Sequence, residues 1–206
     1  MVGLLRSPTV QQIAWALSGL SILMFLWWIF GNYIAQNPAT ASFATFGLIP
    51  TLEAFPLLIH EGKIQTAVVA SSIRLGGGLG IAIAIGVPVG IMVGRSKRFR
   101  ELSNSPFQLL RMVSPLAWTP LAGFVFTAWD SSIIFLIAMA SVWPVIFSTA
   151  AGLSKVDPAW FKVARNLGAT SMHMVTRIII PAITFDVLSG IRLALGVAWI
   201  VLVPAE

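Results

Sequence analysis

The sequence predicts an all-α, polytopic transmembrane helix bundle of about five spans, with its N-terminus on the cytoplasmic side. Composition is the first reason. Of 206 residues, 57% are hydrophobic and 10% charged, with a mean hydropathy of +0.90, whereas an ordinary soluble domain carries about 25% charged residues. The second reason is supply: 7 acidic and 13 basic side chains cannot coat a chain of this length with a polar shell, so lipid must replace water around it. The third is order along the chain, because long uncharged stretches alternate with short basic clusters, as positive-inside topology requires.

The first span is 13–34, in a stretch with no charge between Arg6 and Glu53. It is long enough to cross a hydrocarbon core of about 30 Å, which takes about 20 helical residues. A cleaved signal peptide is the competing reading, since Arg6 precedes the run and Ala39-Thr40-Ala41 resembles a cleavage site. The apolar run exceeds the roughly 7 to 15 residues of a signal h-region, which favours a retained span. Four more spans are expected at 75–94, 112–129, 131–154 and 178–203, so that 1–206 forms a single transmembrane domain.

The connections set the orientation. Arg6 precedes the first span; Arg95, Lys97, Arg98, Arg100 and Arg111 follow the second; Lys155, Lys162, Arg165 and Arg177 follow the fourth. The turn after the third span offers only Asp130, and residues 35–74 are nearly balanced with Glu53, Glu61, Lys63 and Arg74. The basic connections therefore lie on the cytoplasmic side, and 35–74 lies outside or along the interface.

In the second span Gly78, Ala82, Gly86, Gly90 and Gly94 recur every four residues. This places five small side chains on one helical face, where another backbone can approach closely. Pro115, Pro120 and Pro144 interrupt the third and fourth spans, and such breaks are tolerated at membrane depth where a neighbour or cavity satisfies the freed groups.

Several chemistries are absent. Without cysteine there is no disulfide, thiolate metal site or cysteine nucleophile, and the two histidines, His60 and His173, are far apart in sequence, so no metal or other cofactor is expected. The net charge of +6 comes from topology-setting clusters rather than an aromatic-interleaved surface, so no nucleic-acid partner is expected. No phosphate-cradling G-x-x-x-x-G-K-[ST] loop, HExxH helix or Ser-His-Asp set occurs in the chain, and no catalytic residue is assigned.

The connection 155–177 is the most informative segment. Asp157 followed by Pro158 is a cap and first-turn pair that starts a helix. Trp160, Val163, Ala164 and Leu167 then fall at i, i+3, i+4 and i+7 as one apolar stripe, with Lys162 and Arg165 elsewhere, and Gly168 stops the helix. Thr170 or Ser171 caps a second helix whose Met172, Val175 and Ile179 share a face until Pro181 bends it into the last span. The stripe needs either the headgroup region or a protein groove to cover it.

Lys162-Val163-Ala164, Gly168 after three residues, Ile178 after nine more and then Ile180-Pro181 resemble the "EAA" coupling motif of binding-protein-dependent ABC importer permeases. Lys162 stands where the motif has Glu, Val163 where it has Ala, and Ile180 where it has Leu. The runs Ser114-Pro115-Leu116-Ala117-Trp118, Val142-Trp143-Pro144, Val156-Asp157-Pro158-Ala159-Trp160 and Gly196-Val197-Ala198-Trp199 look like the nitrate, sulfonate and taurine permease family, closest to its nitrate, cyanate and bicarbonate branch.

The resemblance implies a bacterial inner-membrane permease subunit importing a small anion by alternating access. Its partners would be a separate ATP-binding-cassette ATPase subunit, a periplasmic or lipid-anchored substrate-binding protein, the bilayer and a second permease copy. Trp160, Lys162, Val163, Ala164, Leu167, Gly168, Ile178 and Pro181 would belong to the ATPase-coupling loop. Family members continue through further membrane-spanning sequence after the segment matching Val201 to Glu206, so C-terminal truncation is expected, with a non-functional truncated permease as one alternative. A taurine or sulfonate permease is another, and a channel or carrier without an ATPase a third.

Arg192 lies mid-way along the last span, where a charge costs at least about 2.5 to 3.5 kcal/mol, so it should face the bundle interior or water. It is the leading translocation-pathway candidate, with pairing to Asp186 the structural alternative, although six helical residues set the two about 120° apart. Ser114, Trp118 and Thr119 are further pathway candidates.

Overall fold

The structure, a computed structural model, describes residues 8–37 and 40–206, and every regular element among them is helical. Arg6 and Ala39, used above for orientation and for the cleavage reading, lie outside the described residues. The chain divides into two compact units, Met1–Val68 and Val69–Glu206.

The first unit is built on α1, Pro8–Gln36, a single 29-residue helix that contains the whole expected first span. A short 3-10 helix, Ala41–Phe46, turns the chain back, and Trp27 Nε1 donates to the Phe46 carbonyl at 2.9 Å. Gly31 and Gly47 make this return possible, since a Cβ on Gly31 would stand 2.9 Å from Gly47 Cα. The 13-residue helix α2, Leu48–His60, has no buried residue.

The second unit has α6, Trp129–Lys155, at its centre, between α3, Lys63–Arg95, and the last helix, α8, Ser171–Ala205. With α1, these are the four helices among the described residues that are long and apolar enough to cross a membrane. The glycine face of α3 lies directly on α6. A Cβ at Gly78 would be 2.5 Å from Ile137 Cγ2, at Gly86 2.8 Å from Val145, and at Gly94 2.9 Å from Leu153. On the other side Gly190 of α8 meets Ser148, and Ser141 Oγ donates to the Ala194 carbonyl at 3.4 Å. Small residues thus hold both neighbours close to α6, the condition under which dispersion can bind helices in lipid.

Neighbouring ends show the directions of the helices. Arg74, in the first half of α3, bridges Asp130, at the start of α6, at 2.7 Å, and Glu206, just past α8, at 2.5 Å. At the opposite end Lys155 Nζ bonds Asp186 Oδ1 at 2.6 Å. α3 and α6 therefore run parallel, α8 runs antiparallel to both, and residues 96–128 must return the chain across the unit.

That return differs from the expected continuous span at 112–129. It starts with α4, Lys97–Met112, which leans back along α6 with Phe107 edge-on to Trp143 at 5.6 Å and Arg111 over Phe147 at 5.2 Å. A 3-10 turn, Pro115–Trp118, and the seven-residue α5, Thr119–Val125, complete it. Pro115 and Pro120 remove backbone donors at the start of each piece, which is why no single helix forms. Ser132 Oγ ties α5 to α6 through the Ala122 carbonyl at 3.2 Å.

Asp186 takes Lys155 as its partner, so the alternative pairing of Asp186 with Arg192 is not formed. Lys155 is 69% exposed, and ion pairs of that kind contribute about 1 kcal/mol at most. Asp186→Asn is accordingly expected to lower the melting temperature of the detergent-solubilised protein by no more than about 2–4 °C, read by heating followed by size-exclusion chromatography.

Candidate functional site

The segment after α6 folds by local rules. Val156 is extended, and Asp157 Oδ1 accepts the Ala159 N–H at 2.8 Å, with Pro158 in the first turn of α7, Pro158–Asn166. The helix ends on Gly168, whose φ of +78° lies in the left-handed region that side chains disfavour. There the Ala169 N–H reaches back to the Ala164 carbonyl, and the Gly168 N–H to the Arg165 carbonyl, each at 3.0 Å, which satisfies the last carbonyls of α7. Thr170 is the cap of the next helix, its Oγ1 accepting the His173 N–H at 3.3 Å.

Packing divides the expected apolar stripe. Ala164 is buried at 6% exposure in a cluster with Leu153, Met174, Ile179 and Ile183, and Ile178 packs at its edge. Trp160 and Val163 are each 57% exposed and Leu167 is 82% exposed. Three of the four apolar residues thus point away from the bundle, and the fourth anchors α7 to it. Lys162 and Gly168 are also exposed. On the following helix the expected shared face likewise splits, with Met172 exposed and Ile179 buried. Just before Pro181, Met174–Ile179 forms a π-helical turn in which the Ile180 N–H reaches the Val175 carbonyl, and α8 continues beyond it. The wider turn absorbs the carbonyl that proline leaves without a donor.

Residues 86–206, which contain this helix-glycine-helix and the central helix α6, match the family described as binding-protein-dependent transport system inner membrane component. The chain belongs to that family. This inner membrane component is 31% identical over 194 residues to the bicarbonate transport system permease protein CmpB of Synechococcus elongatus, covering 92% of this chain and 70% of that one. It is 31% identical over 202 residues to the taurine transport system permease protein TauC of Escherichia coli, covering 98% and 74%. A probable ABC transporter permease of Brucella melitensis is 34% identical over 188 residues, covering 91% and 76%. The all-α architecture, its four long apolar helices and these relatives make the chain a multi-pass membrane permease subunit of an ABC transport system.

The remaining candidate residues of this permease are spread over the second unit. Arg192 is exposed on the side of α8 turned away from α6, on which Gly190, Ala194 and Ala198 are buried, and it has no ion-pair partner among the described residues. Trp118 packs against the cluster of Leu136, Ala198 and Leu202, whereas the Thr119 hydroxyl donates locally to the Leu116 carbonyl at 2.7 Å. Ser114 is exposed before the 3-10 turn, and no hydrogen bond among the described residues joins it, Trp118 or Thr119 to Arg192. The Arg74, Asp130 and Glu206 cluster escaped the sequence reading, because each charge stood alone at a different span end.

Proposed function

We propose that this chain is the membrane-spanning half of an importer that carries a small anion inward by alternating access, driven by a separate ATP-binding-cassette ATPase. The observation that carries the proposal is the outward apolar face of α7, with Trp160, Val163 and Leu167 exposed on a helix fixed at its other face by Ala164. A groove in the ATPase covers that face. Lys162 lies at its edge, Gly168 turns the chain under it, and Ile178 and Pro181 join it to α8, so displacement of α7 is passed to a helix crossing the bilayer.

The anion class is supported by the bicarbonate and taurine transport named for relatives and by Arg192, an unpaired cation on a helix long enough to span the membrane. Arg192, with Ser114, Trp118 and Thr119, borders the pathway, which a second copy of the chain completes, and a substrate-binding protein delivers the anion from outside. The preferred substrate is of the bicarbonate or nitrate type, with a sulfonate such as taurine as the second reading.

Co-purification tests the coupling role. The tagged permease, expressed with the ATPase of its own operon, is expected to retain that ATPase, and Leu167→Asp to reduce retention by at least about tenfold, equal to about 1.4 kcal/mol. Failure of the unmodified chain to retain any ATPase would leave a channel or carrier as the better reading.

A further inference from the structure

A second feature lies beside α7 and is not explained by coupling. The end of α3, the inner side of α7 and the π-helical turn enclose a cavity of about 150 Å³. Its apolar wall is Leu153, Phe161, Met174 and Ile179, and its cationic lining is Arg95 and Arg165. These two arginines come from different helices, and both stay exposed while lining the same cavity, where an anion between them would relieve their mutual repulsion.

The acids at this end have other contacts. Of the acids at this end, Glu101 pairs with Lys97 at 3.9 Å, Asp186 with Lys155 at 2.6 Å, and Asp157 caps α7. Among the described residues neither Arg95 nor Arg165 has an ion-pair partner. The carbonyls at the end of α3, which would repel an anion, are also covered, since Arg100 donates to Gly94 at 2.8 Å and to Val93 at 3.2 Å. Two guanidinium groups can each present paired N–H donors to an oxyanion, a geometry that suits carbonate, nitrate, sulfate or phosphate groups better than a spherical ion.

We propose that this cavity is an oxyanion-binding site in which Arg95 and Arg165 hold one small oxyanion and thereby tie α7 to the end of α3. The oxyanion is either a free inorganic anion or the phosphate of a lipid headgroup, both of which present the same oxygens. The site is separate from the outward face of Trp160, Val163 and Leu167, so its occupancy does not depend on the coupling role of α7.

Hydrogen exchange of the α7 amides in the full chain, held in phosphatidylcholine nanodiscs, tests the site. Bicarbonate, nitrate, sulfate and phosphate are added in turn, with chloride at equal ionic strength as the reference. Exchange at residues 159–167 is expected to slow about tenfold at about ten times the Kd of the bound oxyanion. Arg95→Gln and Arg165→Gln should each remove that protection while leaving exchange without oxyanion unchanged. Discs containing phosphatidylglycerol in chloride alone form the second arm, where protection lost in the same variants identifies the lipid phosphate as the source. The site is refuted if chloride protects as well as the oxyanions, if the double variant keeps its protection, or if neither arm slows exchange.

Discussion

Gly90→Leu is expected to break the second unit apart, with a fall in melting temperature of about 5–10 °C and loss of most of the monodisperse protein in mild detergent. A Cβ at Gly90 would lie 2.6 Å from Thr149 Cβ, 2.9 Å from Thr149 Cγ2 and 2.8 Å from the Ile146 carbonyl oxygen. Thr149 is fully buried and its neighbour in the conflict is backbone, so a rotamer change cannot relieve it. Overpacking of this kind costs about 1–3 kcal/mol, and more when helices must separate, and each kilocalorie moves the melting point of a chain this size by about 2–4 °C.

In lipid the consequence is sharper than in water, because apolar helices gain nothing from leaving an apolar solvent and are held mainly by close packing. Gly80→Leu is the matched control, since nothing lies within 4 Å of a Cβ there. The paired measurement is fluorescence-detected size exclusion after graded heating. An equal loss in both variants would mean that the glycine face is not the seat of the interaction between α3 and α6.

The second large effect is expected at Gly168. Its φ of +78° and the open space around a built Cβ separate backbone strain from steric conflict. Gly168→Val forces a β-branched residue into the left-handed region, at a cost of about 1–2 kcal/mol or more. The chain then leaves α7 in another direction, and the hydrogen bonds from Gly168 and Ala169 to Arg165 and Ala164 are lost. Uptake of the transported substrate is expected to fall at least about tenfold, the consequence of about 1.4 kcal/mol in a required state, with membrane levels near those of the unmodified chain and a melting temperature lower by about 2–8 °C. Gly168→Asn should keep most of the uptake, because asparagine tolerates this conformation. If valine and asparagine behave alike, the left-handed turn is not what transport requires.

Much of α7 was legible in the sequence because each signal is local. Asp157, Pro158, Gly168 and Thr170 act within a few residues of themselves, and all four take the expected roles. The stripe Trp160, Val163, Ala164 and Leu167 was visible as a periodicity, but periodicity says only that these residues share a side of the helix. It does not say which of them meets a neighbour. Ala164 alone fits against Leu153 and Met174, and the three larger residues remain outside. The return leg 96–128 reads in the sequence as a loop and a span because the charges and the one proline of α4, Pro106, mask a helix that packs on Trp143 and Phe147, 36 residues beyond Phe107 and Arg111.

By itself, then, the sequence determined residence in a bilayer, the long helices, the close-packing face of α3 and the capped break at Gly168. These follow from composition, from repeats of three to four residues and from backbone preferences, all of which act over short distances. Only the tertiary structure decided that the glycine face meets α6, that Lys155 rather than Arg192 neutralises Asp186, and that Arg74 draws Asp130 and Glu206 to one end. Each of those choices joins residues far apart in the chain, where a charge or a small side chain states what kind of neighbour it needs and only packing selects which one it gets.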